Sequence, residues 1–274
     1  MQQLPALLKL CDDPSPAVAN KVAHRLRELG PDVWDEIQAR NILLSESQRA
    51  ILDAIFASDE DEILREAWLW LGSHGHDHLY LESALMALCD WQSGSGTGAR
   101  GRYLLDDLAI AFGDYEPPKN SVRNRSEAGS LAHFLFEERG LSGANSDDYY
   151  NPLHSNIVHT LEAGQGLPIT LACIFILVGR RVGLEIEGCA FPGHFLTRDG
   201  KTAQVFDPFN GGRALSSHEV ATLRKAAPAE MSGTATAREI VERVLRNLSV
   251  AYHQQGDATK SGFMLSLIRL MDEN

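Results

Sequence analysis

Two residues in the second half of the chain have the types and spacing of a catalytic pair. His194 lies in "PGHF" and Asp207 in "FDPF", in two short apolar runs on either side of the turn dipeptide Asp199-Gly200. A carboxylate that orients an imidazole is how a histidine becomes a general base toward a hydroxyl or thiol nucleophile. Strand parity tests the spacing. With Asp199-Gly200 as a two-residue turn, Arg198 pairs with Lys201, and His194 lies opposite Val205. Asp207 is then two residues further along on the same face, within a diagonal reach of about 7–8 Å. A slip of one residue would separate the two. Upstream, "GQGLPITLACIF" carries the hydroxyl of Thr170 and the thiol of Cys173. Cys189 is in the strand before His194 and is expected to alternate out of register with it. A further hydroxyl, Ser155, has no stronger claim.

Two other segments could hold ligands. "HGHDH" places His74, His76, Asp77 and His78 together, and imidazoles bind zinc. The three histidines share a side only if the segment is extended, and it follows a helical pattern and a glycine, so a solvated loop is expected. The glycines of "DPFNGGRAL" read as a tight turn rather than a phosphate nest.

The elements that must position these groups are mostly helices. "SPAVANKVAHRLRELGP" has Ser15 as N-cap, Pro16 in the first turn and Gly30-Pro31 as a stop, with Val18, Val22, Leu26 and Leu29 on one face. "SESQRAILDAIF", "SDEDEILREAWLWLG" and "YLESALMALCDW" are further helices, and their succession is similar to HEAT-type repeat packing with an irregular period. "QSGSGTGARG" is predicted to be a flexible loop before the helix "RYLLDDLAIAFG". From Ser126 the texture changes. Helices over "SEAGSLAHFLFEERGL" and "LHSNIVHTLEAG" lead to "LPITLACIFILVGRRVGL", whose apolar residues go all round, so a centrally buried helix is predicted. Strands over "EIEGCAFPGHFLTR" and "KTAQVFDPF" follow, and a helix pair closes the chain.

The segment "NPLHSNIVHTLEAGQGLPITLACIFILVGRRVGL…PGHFLTR…FDPFNGGRAL" resembles the SirB-type branch of the transglutaminase-like superfamily over roughly Ser130 to Leu215. The family pattern has Asn-Ser where this chain has His154-Ser155. "IVERVLRNLSVAYHQQGD" is similar to the tetratricopeptide-like segment that often follows. The resemblance implies a papain-like arrangement, with a cysteine opening a buried helix and a histidine and an aspartate on adjacent strands. His194 and Asp207 fill the last two places, and Pro168 stands where the nucleophile belongs. Proline cannot start acyl transfer. Cys173 is five positions on, about 140° round at 100° per residue, and more than a turn inside the helix; it reads as an inert core thiol. Thr170 is the one first-turn hydroxyl near the implied His194, as an alternative nucleophile or as a hydrogen-bond partner or cap.

Composition narrows the classes. Of 274 residues, 37 are acidic and 25 basic, a net charge of −12 that argues against a nucleic-acid groove. The basic run at Arg123 to Arg125 reads as a solvated loop. No signal-peptide pattern or membrane-length apolar run is evident, and four scattered cysteines without a CxxC motif suit a reducing cytoplasm. The expected fold is α+β and mostly helical, with a transglutaminase-like core at 119–220 containing an antiparallel hairpin. A helical region at 1–118 and a helical tail at 221–274 flank it. The leading functional expectation is a non-catalytic protein-interaction or regulatory protein, with a protein partner and neither cofactor nor metal. The rival is an amide hydrolase or acyl transferase using His194 and Asp207 with Thr170 or a relocated cysteine.

Overall fold

The computed structural model describes the chain except for residues 1–2, 30–32, 34–35, 38–39, 41, 56–58, 75–77, 117–125, 192–193, 227–232 and 273–274. The chain divides by packing into two units, Met1–Ile63 and Leu64–Asn274. The first contains α1 (Leu4–Leu10), α2 (Pro16–Leu29) and α3 (Glu46–Ile55). Its core is Leu4, Leu8, Val22, Leu26 and Leu52, with Val18 and Leu29 packed beside them, the stripe that the α2 periodicity predicts. A reciprocal cap opens α3: the Gln48 amide donates to Ser45 Oγ at 3.1 Å, and the Ser45 amide donates to Gln48 Oε1 at 3.0 Å.

In the second unit, α4 (Asp59–His74) contributes Leu64 onward and is followed by α5 (His78–Ser93) and α6 (Thr97–Gly113). The glycine-rich stretch predicted as a flexible loop is mostly helix. Only 94–96 separate α5 from α6, and Gly98 and Gly101 are buried helical residues. They are where the two helices cross. A Cβ on Gly98 would come within 2.7 Å of the Met86 carbonyl oxygen, and one on Gly101 within 2.6 Å of Met86 Sδ. Composition signalled flexibility, whereas the physical requirement is close backbone approach.

After Ser126, whose hydroxyl accepts from the Gly129 amide at 3.1 Å, α7 (Glu127–His133) widens into a π-helical turn at Phe134–Glu138. Two short strands, β1 (Ser142–Gly143) and β2 (Gln165–Gly166), pair in parallel around a 3₁₀ turn at Pro152–Ser155 and α8 (Ile157–Ala163). Then comes α9 (Pro168–Arg181), in which every residue from Ile169 to Gly179 is buried, as its all-round apolar pattern requires. Arg181 in its last turn donates to both Glu82 oxygens at 2.8 and 2.9 Å and to Asp106 at 2.6 Å, tying α9 to α5 and α6.

The sheet is five-stranded and wholly antiparallel, in the order β6-β5-β4-β3-β7. Its strands are β3 (Ile186–Phe191), β4 (His194–Asp199), β5 (Val205–Asp207), β6 (Arg213–Ala214) and β7 (Thr234–Ala235). Phe195, Thr197 and Phe206 lie on one face, where Phe175 of α9 meets Phe206 edge-on at 5.7 Å. Cys189, Phe191, Leu196 and Val205 form the other face, packed under Leu215 and, from α10 (Ser217–Ala226), Val220 and Leu223. The Thr236–Glu239 capping box opens α11 (Ala237–Gln254), which packs on α12 (Ala258–Asp272). The fold is thus α+β and mostly helical, as expected.

The Asp199-Gly200 turn is longer than predicted. Arg198 pairs with Val205 rather than Lys201, and residues 200–204 form a loop. Asp199 causes this: its carboxylate accepts from the Lys201 amide at 3.0 Å and from Thr202 Oγ1 at 2.6 Å, which consumes residues that a two-residue turn would leave in the strand.

The helix crossing gives a first prediction. Gly98→Ala should destabilise the protein by about 1–3 kcal/mol through overpacking against a carbonyl. Gly113→Ala, whose added methyl meets nothing within 4 Å, should be neutral or gain up to about 1 kcal/mol. Urea unfolding of both variants measures the contrast, and a flexible loop would give no penalty at Gly98.

Candidate functional site

The start of α9 is set by Leu167 in extended conformation and Pro168 in the first turn, with no side-chain cap. The Leu167 amide donates to the His154 carbonyl at 3.1 Å, which fixes the helix start against the preceding 3₁₀ turn. Pro168 is half-buried. Thr170 is 1% exposed, and its hydroxyl has no hydrogen-bond partner among the described residues. Cys173 is enclosed in the core, where burial pushes its thiol up to about 12.

His194 and Asp207 share a face of the sheet, although by a different register from the one expected. Continuing the ladder from Thr197↔Phe206 sets Asp207 opposite Leu196, two residues from His194. A shift of an even number of residues keeps parity, so the diagonal relation survives the longer loop. That face is the one under α10, whereas Phe195, Thr197 and Phe206 point to α9. The strands therefore place His194 and Asp207 together and put Thr170 on the other side of the sheet. His194 is exposed and makes no hydrogen bond or ion pair among the described residues. Asp207 is 5% exposed and already engaged, accepting from the Asn210 amide at 3.3 Å and from Asn210 Nδ2 at 2.8 Å, which closes the 3₁₀ turn at Pro208–Asn210.

Cys189 does share a face with His194, contrary to the alternation expected, because Phe191 pairs with His194 and Cys189 with Leu196. The side chain of Leu196 stands opposite both Cys189 and Asp207, and the thiol packs with Phe191, Leu196, Val205 and Leu215. Burial raises its pKa. Cys11 and Cys89 are likewise buried, with pKa values raised first by desolvation.

A second His–Asp pair stands beside the start of α9. His154 is 3% exposed, and its Nε2 lies 3.0 Å from Asp148 Oδ2. Its Nδ1 is buried without a partner, as are the hydroxyls of Ser155, Thr160 and Thr170. Nothing in the sequence spacing marks this pair, since the carboxylate comes from six residues upstream. Of the histidine-rich segment, His76 and Asp77 lie outside the described residues, as do the side chains of His74 and His78, and so do Pro192, Gly193 and the basic run at 123–125. No group of three or more His, Cys, Asp or Glu suited to a metal is present among the described residues. None of their helices is long and apolar enough to cross a membrane.

A family model described as the transglutaminase-like superfamily matches residues 102–246, more than half of the 274 residues, and the chain belongs to that superfamily. A UPF0162 protein from Xylella fastidiosa (strain Temecula1) is 42% identical over 137 residues, covering 45% of this chain and 48% of that protein. A UPF0162 protein from Pseudomonas aeruginosa is 26% identical over 218 residues, 77% of this chain and 72% of the relative. F-box only protein 21 from Mus musculus is 28% identical over 130 residues, 43% of this chain and 21% of that protein. The chain spans about half the length of the Xylella relative. No solved structure matches it.

The unbonded Thr170 hydroxyl gives a second prediction. Thr170→Val should leave stability unchanged or raise it by about 1 kcal/mol, since an orphaned buried hydroxyl costs free energy that a methyl does not. A loss of stability in urea unfolding would instead reveal a hydrogen bond made by this hydroxyl.

Proposed function

We propose that this transglutaminase-like chain is a non-catalytic protein-interaction or regulatory protein, working in the cytoplasm on a scaffold whose acyl-transfer centre is silent. The observation that carries the reading is the absence of an activated nucleophile at the start of α9. Pro168 stands at the helix start, Thr170 is buried, and all four thiols are buried with their pKa values raised. The proposal includes membership of the SirB-type branch, the three-part organisation at 1–118, 119–220 and 221–274, and a tetratricopeptide-like tail. The antiparallel packing of α11 on α12 supports the last of these. The matched segment also makes up only 21% of F-box only protein 21, which supports its use as a module within larger proteins. The rival reading, an amide hydrolase or acyl transferase, draws on the exposed and unengaged imidazole of His194.

Reactivity separates the two. A thiol-reactive maleimide should label the folded chain far more slowly than the unfolded chain, at rates set by opening of the structure rather than by thiolate formation. His194→Ala should leave those rates unchanged, and a fluorophosphonate probe should not modify Thr170. A thiol whose fast labelling at neutral pH is lost in His194→Ala would overturn the silent-centre reading.

A further inference from the structure

A cavity of about 350 Å³ lies between the β3–β4 strands and α11, lined by Ala190, Phe195, Thr234, Ala235 and Arg243 among others. Its volume is at the lower end of the range for ligand pockets, roughly 300–1,000 Å³. That suits one end of a chain better than a segment passing through.

Four charged side chains border the cavity, and three are already satisfied. Glu239 accepts from the Thr236 amide at 2.7 Å and from Thr236 Oγ1 at 2.8 Å. Glu242 and Arg246 pair with each other one helical turn apart, at 2.5 Å. Arg243 is the exception. It is half-buried and forms no ion pair among the described residues. Its guanidinium carbon sits 5.5 Å over the Phe195 ring, and one terminal nitrogen donates to the Phe191 carbonyl in a long 3.4 Å bond. Desolvation is the main influence on its pKa and lowers it. A guanidinium has five N–H donors in a fixed fork that matches a carboxylate. Here one is used and the guanidinium lies over an aromatic ring, half-buried and without an ion pair among the described residues.

We infer that the cavity is a subsite for the C-terminal carboxylate of a peptide, received by the guanidinium of Arg243. The two neighbouring carboxylates, Glu239 and Glu242, favour a monoanion over a phosphate dianion. The subsite is separate from the exposed imidazole: Arg243 holds the carbonyl of Phe191, the strand partner of His194, but the His194 side chain is on the other face of the sheet from Ala190 and Phe195. This inference rests on the protein-partner reading and names the part of the partner that is recognised.

The test uses the full chain and an N-acetylated tetrapeptide of alanine and leucine, as the free acid and as the C-terminal amide, followed by NMR through the Arg243 Nε–H signal and the amides of Ala190 and Thr234. The acid should shift these signals and bind at least about tenfold more tightly than the amide, within the range for charged hydrogen bonds. Arg243→Gln should abolish that difference, and Arg243→Lys should retain part of it. Equal binding of acid and amide would overturn the subsite. So would inorganic phosphate acting more strongly than acetate on the same signals, or an amidated peptide with an internal glutamate binding as well as the free acid. Mass spectrometry of the recovered peptide keeps the two readings apart. Cleavage would sink the non-catalytic reading and leave the carboxylate subsite standing, whereas an intact, bound acid supports both.

Discussion

The complete burial of α9 is the constraint on which the second unit depends. A helix apolar on every side cannot choose between solvent and core, so other elements must surround it. The sheet covers one side through Phe195 and Phe206, and α6, α7 and α8 pack on others. Arg181 then closes the C-terminal end: its positive charge suits the negative end of the helix dipole, and Glu82 and Asp106 neutralise its largely buried guanidinium. The π-helical turn after α7 belongs to the same enclosure, since Phe136 within it meets Phe175 edge-on at 5.8 Å.

Such enclosure decides what the start of α9 can do. A helix N-terminus favours developing negative charge, and a transglutaminase-like fold would use that on a thiolate. Here the first turn opens on Pro168 and its next polar group, Thr170, is directed into the core. Beside it the imidazole of His154 is held from outside by Asp148, and the His154 carbonyl accepts from the Leu167 amide. Around the helix start, His154 Nδ1 and the hydroxyls of Ser155 and Thr170 are buried without hydrogen-bond partners among the described residues.

Much of this was legible in the sequence where one rule dominates. Helical periodicity and caps located α2 and α3, and the all-round apolar run located α9. Parity puts His194 and Asp207 on one face, and this holds even though the loop between the strands is longer than a two-residue turn, because the shift is even. The departures from these expectations share a cause. Glycines in 94–101 and the Asp199-Gly200 dipeptide are ambiguous between local flexibility or tight turning and a tertiary demand, and only the partner decides. Met86 settles the first and the Asp199 carboxylate the second. Which face of the sheet receives α9 was likewise not encoded in strand spacing: it follows from where α10 and α9 compete for apolar cover.

The two members of the His–Asp pair then part company. Asp207 has a structural task that accounts for its carboxylate fully, because both oxygens accept from Asn210 and hold the turn that leads into β6. An aspartate at this place needs no catalytic explanation. His194 has no such account: it is exposed, lies at the open end of β4, and has no polar partner among the described residues. A side chain that contributes nothing evident to the fold is free to serve whatever approaches from solvent. On one face of the sheet the aspartate thus works inward as a turn cap, while the histidine is exposed.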